Sequence, residues 1–216
     1  CAIAAGAGTI YRNYFAPVNG VPGQTAERQL NMLEQVGLSL SAHLRRPVSS
    51  LWRMENGYAL CTADGLAAIN DFLAEASTET RDSLAVELAI GLHLGVEVTG
   101  TVSVPGQIVS QAYCSALPVA YSNVPQRHWE GFARLVLESA YEASLLAAAE
   151  GSNNGGSNIV LLTRLGGGVF GNDDEWIDTA ILRALKIVEP AGLDVRLVSY
   201  GSVHPNMRAI ADRWSA

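Results

Sequence analysis

The segment that most constrains the fold is a glycine-rich turn between a short apolar run and an amphipathic helix. Residues 158–163 read Asn-Ile-Val-Leu-Leu-Thr, which is typical of a buried parallel strand. Four glycines follow within residues 166–171, and apolar side chains then recur at helical spacing over 174–188. A further strand is predicted at 193–200. This order predicts a strand–helix–strand unit with the glycine loop (residues 166–171) at a strand end, where α/β proteins bind ligands.

The glycine loop is typical of a diphosphate-binding turn. Clustered glycines let backbone N–H groups turn toward one point, and the dipole of the next helix adds positive potential. The alternative is a tight turn that lets helix and strand pack closely. Phe170 favours a ligand, because a sugar or base would cover a ring that is otherwise costly to expose, although the ring could also pack onto the core. The predicted ligand-binding residues are Gly166, Gly167, Gly168, Val169, Phe170, Gly171 and Asn172.

Two better-known glycine loops fit the sequence less well. A Walker loop requires Lys and Ser or Thr after its last glycine, where this chain has Asn172 and Asp173. A dinucleotide-binding dehydrogenase places an acidic residue at the end of the next strand, where this chain has Ser199 and Tyr200. A dinucleotide-dependent oxidoreductase therefore stays only as a further alternative.

A second set of ligand-binding residues is predicted near the beginning of the chain. Residues 1–5 are interpreted as the end of a buried strand, and the small residues that follow as a turn that approaches a ligand closely. Asn13 can bond a ribose hydroxyl, or it can form an Asx turn or a cap. His93, set among apolar residues, is expected to be a core histidine with its bonds satisfied. The candidates in this region are Gly6, Ala7, Gly8, Thr9 and Asn13.

The glycine loop resembles the second phosphate loop of the macrodomain and poly(ADP-ribose) glycohydrolase superfamily, in which a GxGxFG-type turn holds a diphosphate. Residues 1–15 and 111–122 are similar to a divergent branch that includes a Legionella effector acting on ADP-ribosylated ubiquitin. The resemblance implies an α/β fold with three layers, in which a mixed, mostly parallel sheet lies between helices. It also implies an ADP-ribose cleft at the strand ends and release of ADP-ribose from a protein side chain, with arginine as the candidate.

Hydrolysis of the bond to the distal ribose would use a carboxylate that activates water or stabilises an oxocarbenium-like state. The acids nearest to the loop are Asp173, Asp174 and Glu175, which are the predicted catalytic residues. Their alternative role is the ordinary acidic bias at the start of a helix. The double-glutamate motif of the glycohydrolases is absent. A non-catalytic ADP-ribose reader shares the same binding residues and is the alternative function.

Composition limits the remaining possibilities. The 216 residues suit one α/β domain over 1–216, and a net charge of −7 without a basic stripe argues against nucleic acid as a partner. Three widely spaced cysteines suggest neither disulfides nor a metal site, and no cofactor is expected. No apolar run has membrane-spanning length. The chain begins without Met, so a truncated N-terminus is expected, and a cytoplasmic or host-cytosolic location is the prediction.

Overall fold

The computed structural model describes residues 6–98, 106–199 and 201–214. The described helices are α1 (Gly6–Tyr14), α2 (Glu34–Leu44), α3 (Val48–Leu51), α4 (Ala63–Glu75), α5 (Thr78–Ala85), α6 (Glu130–Asn153), α7 (Asp174–Val188) and α8 (Pro205–Trp214). The strands are β1 (Pro17–Val18), β2 (Val21–Pro22), β3 (Trp52–Glu55), β4 (Tyr58–Cys61), β5 (Gly91–Glu97), β6 (Ile108–Tyr113), β7 (Ile159–Leu162) and β8 (Asp194–Leu197). Helix predominates in this mixed α/β chain. None of the described helices is both long and apolar enough to cross a membrane.

The chain divides into two compact units. The first, which we call the hairpin unit, comprises residues 1–32 and 90–114, and the second, the helical unit, comprises 33–89 and 115–216. In the hairpin unit, α1 contacts β5, which pairs antiparallel with β6. The prediction of a single domain over 1–216 stays a prediction.

The helical unit is built on the packing of α6 against α7. Both helices carry apolar residues at helical spacing, so each buries a continuous stripe. At its centre Trp52, from the β3–β4 hairpin, stacks on Phe132 of α6 with ring centroids 5.2 Å apart. Asn56 and Gly57 form the tip of that hairpin with φ of 52° and 81°, the left-handed backbone that a two-residue turn requires. Turn residues at 55–57 predict a hairpin over 51–60, and apolar residues at helical spacing predict a long helix from residue 129. Both predictions and the helix over 174–188 are confirmed.

The described strands pair only in twos. Three pairs are antiparallel hairpins, and β7 and β8 form a parallel pair joined through α7. Small residues over 110–119 predict a closely covered central strand. The observed strand ends at Tyr113 and belongs to a hairpin with alternating exposure. Small side chains occur both in covered central strands and in exposed hairpin strands, so composition does not distinguish the two. The α/β class is confirmed, whereas no described sheet extends beyond two strands.

Two predictions near the start of the chain are wrong, and a third lies outside the described residues. Gly8 and Thr9 belong to the helix α1 instead of a turn. The sequence also predicts a helix over 25–38, but the helix in this region, α2, begins only at Glu34. Gln24 accepts a hydrogen bond from the Leu30 N–H and Thr25 from the Arg28 N–H, so side chains hold this segment as a loop. The strand expected at residues 1–5 lies in the part that is not described.

Candidate functional site

The glycine loop follows β7 directly and leads into α7, as the sequence predicts. Its entry is tied to α6, because the Tyr141 hydroxyl donates to the Thr163 carbonyl at 2.9 Å and accepts from the Leu165 N–H at 2.6 Å. Within the loop, residues Gly168–Phe170 form one turn of 3-10 helix. The loop is therefore an ordered turn that two hydrogen bonds fix to the long helix.

Two of the four glycines are required by packing. Gly166 has φ +81°, and a Cβ there would overlap the Ala116 Cβ and lie 2.8 Å from Asn172 Nδ2. Gly171 has φ +70°, and its Cβ would lie 2.8 Å from the Ala120 Cβ. Both positions combine left-handed backbone with a close neighbour, so only glycine fits. For these two residues the close-packing alternative is correct.

The other two glycines have no close neighbour that a Cβ would overlap. Gly168 has φ +65°, and a Cβ added there would meet nothing within 4 Å among the described residues. Gly167 has φ −70°, which any residue can adopt, and its Cβ would meet only Ile177 Cδ1, at the ordinary distance of 3.7 Å. Neither backbone conformation nor packing within the described residues requires glycine at 167. The outer side of the loop is consequently free for a ligand to approach the backbone.

Asn172 stabilises the glycine loop through buried hydrogen bonds. It is 6% exposed, and its Nδ2 donates to the Leu117 carbonyl at 2.9 Å and to the Gly166 carbonyl at 3.1 Å. Its own N–H donates to the Gly166 carbonyl as well. The buried Oδ1 has no hydrogen-bond partner among the described residues. The predicted ligand-binding residue thus closes the loop through its amide group.

Phe170 belongs to a three-ring cluster at the surface, which we call the aromatic cluster (Tyr58, Tyr121 and Phe170). The Phe170 and Tyr121 rings are stacked with centroids 5.5 Å apart and planes at 20°, and Tyr58 meets each ring edge-on at 5.6 Å. Phe170 is half-buried, whereas 49% of Tyr121 is exposed. The Phe170 ring is therefore neither buried in the core nor isolated at the surface. Sequence reasoning assigned no role to either tyrosine, because they lie far from the loop along the chain.

The three predicted catalytic acids all have partners in the protein. Asp173 caps α7, because its carboxylate accepts from the Glu175 N–H at 2.9 Å. Asp174 pairs with Arg164 at 2.6 Å, and Glu175 pairs with Arg134. Partial burial alone would lower the pKa of Arg134, but its hydrogen bonds to Glu130 and Glu175 raise it. Asp173 is half-buried, and the other two acids are exposed.

A polar network that the sequence did not reveal lies behind Asp174. Arg164, with 9% of its side chain exposed, also pairs with Asp178, whose other oxygen accepts from Asn206 at 2.7 Å. His204 caps α8, because its Nδ1 accepts from the Asn206 N–H, and its Nε2 lies 4.0 Å from Asp174. The network joins the end of β7, the first turns of α7 and the start of α8. Pairing between such distant segments leaves no local pattern in the sequence.

The early candidates belong to the hairpin unit, and their role in ligand binding stays a prediction. Gly6 and Ala7 fall in the first turn of α1. Gly8 is buried, and a Cβ on it would lie 2.7 Å from Gln111 Oε1 and 2.9 Å from His93 Nδ1. The carbonyl of Asn13 accepts from the Gln24 N–H at 2.8 Å. Gly8 therefore permits helix–hairpin packing.

Polar atoms without partners occur in this unit. The Oγ1 of Thr9 and the Nδ1 of His93 are buried and unpartnered among the described residues. His93 instead contacts the Tyr11 ring, with centroids 5.0 Å apart. His93 is therefore not the fully satisfied core histidine that the sequence suggested.

Comparison with known proteins found no match to this chain among family models, curated proteins or solved structures. The described residues also hold no group of three or more His, Cys, Asp or Glu side chains arranged to bind a metal ion. The chemistry of the site follows from the glycine loop, with open backbone on its outer side, an aromatic cluster beside it and a half-buried carboxylate at its end.

Proposed function

We propose that this chain binds ADP-ribose, with the diphosphate against the outer side of the glycine loop. The observation that carries the proposal is the glycine at 167, which neither backbone conformation nor internal packing demands. A bound group that approaches the backbone closely explains the missing side chain. The resemblance of the loop to the GxGxFG turn of macrodomains supports a diphosphate as that group, and with it the three-layer macrodomain arrangement.

The loop amides are better suited than the start of α7 to hold the diphosphate. The N–H groups of Gly168 and Val169 begin a 3-10 turn, where helix geometry supplies no acceptor within the turn. At α7, in contrast, the carboxylate of Asp173 occupies the position where an anion would bind a helix N-terminus. We therefore assign the phosphate contacts to residues 167–169.

We further propose that the chain hydrolyses the bond between the distal ribose and a protein side chain. Asp173 is the best candidate for the carboxylate that activates water, because it follows the loop directly and is only half-buried. One oxygen accepts from the Glu175 N–H, which leaves acceptor positions open. Asp174 and Glu175, held by arginines, would position it. An ADP-ribosylated protein, ubiquitin being the candidate, would be the substrate.

One observation favours a second function, that of a non-catalytic ADP-ribose reader. Every predicted catalytic acid is already bound within the protein, by the α7 backbone, by Arg164 or by Arg134. A helix that carries acids in its first turn only for stability would show the same cap and ion pairs. The reader keeps the glycine-loop contacts and lacks only the chemical step.

Calorimetric titration with ADP-ribose tests binding. Gly167→Glu adds bulk and negative charge beside the loop amides, and we expect it to abolish binding. Gly151→Glu is the matched control, because a Cβ there meets nothing within 4 Å. We expect the control to bind like the wild type. Absence of heat with wild-type protein, or unchanged binding by Gly167→Glu, would reject the proposal.

Release of ADP-ribose from arginine-, serine- and glutamate-linked proteins tests catalysis. Asp173→Ser keeps a side chain that caps helices well but removes the carboxylate, whereas Asp173→Ala removes both. A catalytic carboxylate predicts loss of at least about 100-fold in rate for both variants. If Asp173→Ser stays fully active, Asp173 is only a cap. If wild type binds ADP-ribose but releases none from any substrate, the chain is a reader.

A further inference from the structure

A small cavity adjoins the aromatic cluster on the helical unit. Its volume is about 270 Å³, and it is lined by Ser49, Arg53, Leu60, Cys61, Thr62, Tyr121 and Ser122. Tyr121 thus contacts Phe170 of the glycine loop and also forms part of the cavity wall. The cavity therefore lies next to the glycine loop, because Tyr121 lines the cavity and stacks on Phe170 of the loop.

The lining combines an aromatic wall with polar groups. Tyr121 and Leu60 supply apolar surface, and the hydroxyls of Ser49 and Ser122 can donate to a ligand. The Thr62 hydroxyl already donates to the Ser50 carbonyl and accepts from the Gly65 N–H. A planar heterocycle matches this combination, because its face stacks on an aromatic ring while its edge forms hydrogen bonds. Arg53 is paired with Glu55 and 70% of its side chain is exposed, so its charge contributes little to the choice of ligand.

We propose that Tyr121 and this cavity bind the nucleobase of the ligand whose diphosphate the glycine loop holds. The inference rests on the proposed function, because the base reaches the cavity as part of the same molecule. Phe170 already stacks on Tyr121, so the tyrosine ring is fixed in orientation before the ligand arrives. A platform that is ordered in advance loses little entropy on binding.

The test compares three probes: ADP-ribose, inorganic pyrophosphate and adenosine. We expect Tyr121→Leu to weaken binding of ADP-ribose and adenosine by roughly 5- to 100-fold, the effect of losing one base–aromatic stack. Tyr121→Phe keeps the ring and should bind within about threefold of wild type. Pyrophosphate, which has no base, should bind equally to all three proteins.

A second variant leaves the aromatic cluster untouched. Ser49→Trp fills the cavity from the exposed helix α3 and should weaken adenosine and ADP-ribose but not pyrophosphate. If both variants bind ADP-ribose like wild type while Gly167→Glu does not, the nucleobase site is rejected and the proposed function stands. If pyrophosphate and ADP-ribose fail to bind wild type but adenosine binds and is lost in Tyr121→Leu, the base site stands and the proposed function fails.

Discussion

Gly166 and Gly168 lie two residues apart, share left-handed backbone and differ in everything around them. Gly166 is buried against Ala116 and the amide of Asn172, whereas Gly168 faces open space. The glycine pattern alone predicts a loop but cannot separate the two roles. Ala116, the nearest neighbour of Gly166, lies about fifty residues earlier in the chain, and spacing within the loop carries no information about it.

Substitution of each glycine by alanine should separate conformation from packing. Gly168→Ala should cost about 1–2 kcal/mol of unfolding free energy, the cost of left-handed backbone with a Cβ. Gly166→Ala adds an overlap with the Ala116 Cβ, so we expect about 2–5 kcal/mol in total. Urea unfolding of both variants measures the difference. Equal losses of unfolding free energy in the two variants would show that Ala116 shifts without cost.

At the scale of elements, the beginning of α7 is fixed by a cap and by ion pairs. Asp173 caps its first turn, and Arg164 pairs with both Asp174 and Asp178. Since Arg164 lies just after β7, these ion pairs join the strand end to the helix across the glycine loop. The bounds of the loop therefore depend on charge pairing as well as on glycine.

Replacing Arg164 should loosen this junction. Arg164→Met keeps much of the apolar stem but leaves two carboxylates without their cation, and we expect a loss of about 2–5 kcal/mol. Lys186→Met, which breaks an exposed pair with Glu189, is the control and should cost less than about 1 kcal/mol. Thermal and urea unfolding give both values. Similar small losses for the two variants would show that the Arg164 pairs contribute little.

The elements that the sequence predicts correctly are those with strong local patterns. The α6 and α7 helices have sustained helical spacing, and the β3–β4 hairpin has an Asn-Gly turn. Residues 6–14 form a helix although they begin with Gly-Ala-Gly, because contact with β5 outweighs the low helical propensity of glycine. The aromatic cluster escaped prediction for a related reason, since its three rings come from distant segments.

At the scale of the whole molecule, the helical unit carries its core around α6 and α7 and includes one buried thiol. Burial raises the pKa of Cys61 from 9.0 to about 12. The folded protein therefore keeps its proton at pH values where the unfolded chain loses it. The stability that depends on this proton is complete below pH 9 and decreases as the pH rises toward 12.

Unfolding free energy should accordingly fall faster with pH in wild type than in Cys61→Ala. The slope attributable to this thiol approaches about 1.4 kcal/mol per pH unit above the pKa of the unfolded chain. Urea unfolding at pH 8, 9.5 and 10.5, compared between the two proteins, cancels the titration of all other groups. Parallel pH profiles would show that Cys61 ionises as readily in the folded state as in the unfolded chain.

The close approach of Gly166 to Ala116 and of Gly171 to Ala120 has an evolutionary consequence. Neither glycine can gain a methyl group unless the facing alanine shifts, so a change at Gly166 or Gly171 should be accompanied by a change in the segment that faces it. In any set of homologues, residues other than glycine at 166 or 171 should appear only together with a rebuilt contact at 116 or 120. A search for relatives that demands small residues at all four positions would therefore be more selective than one based on the glycines alone.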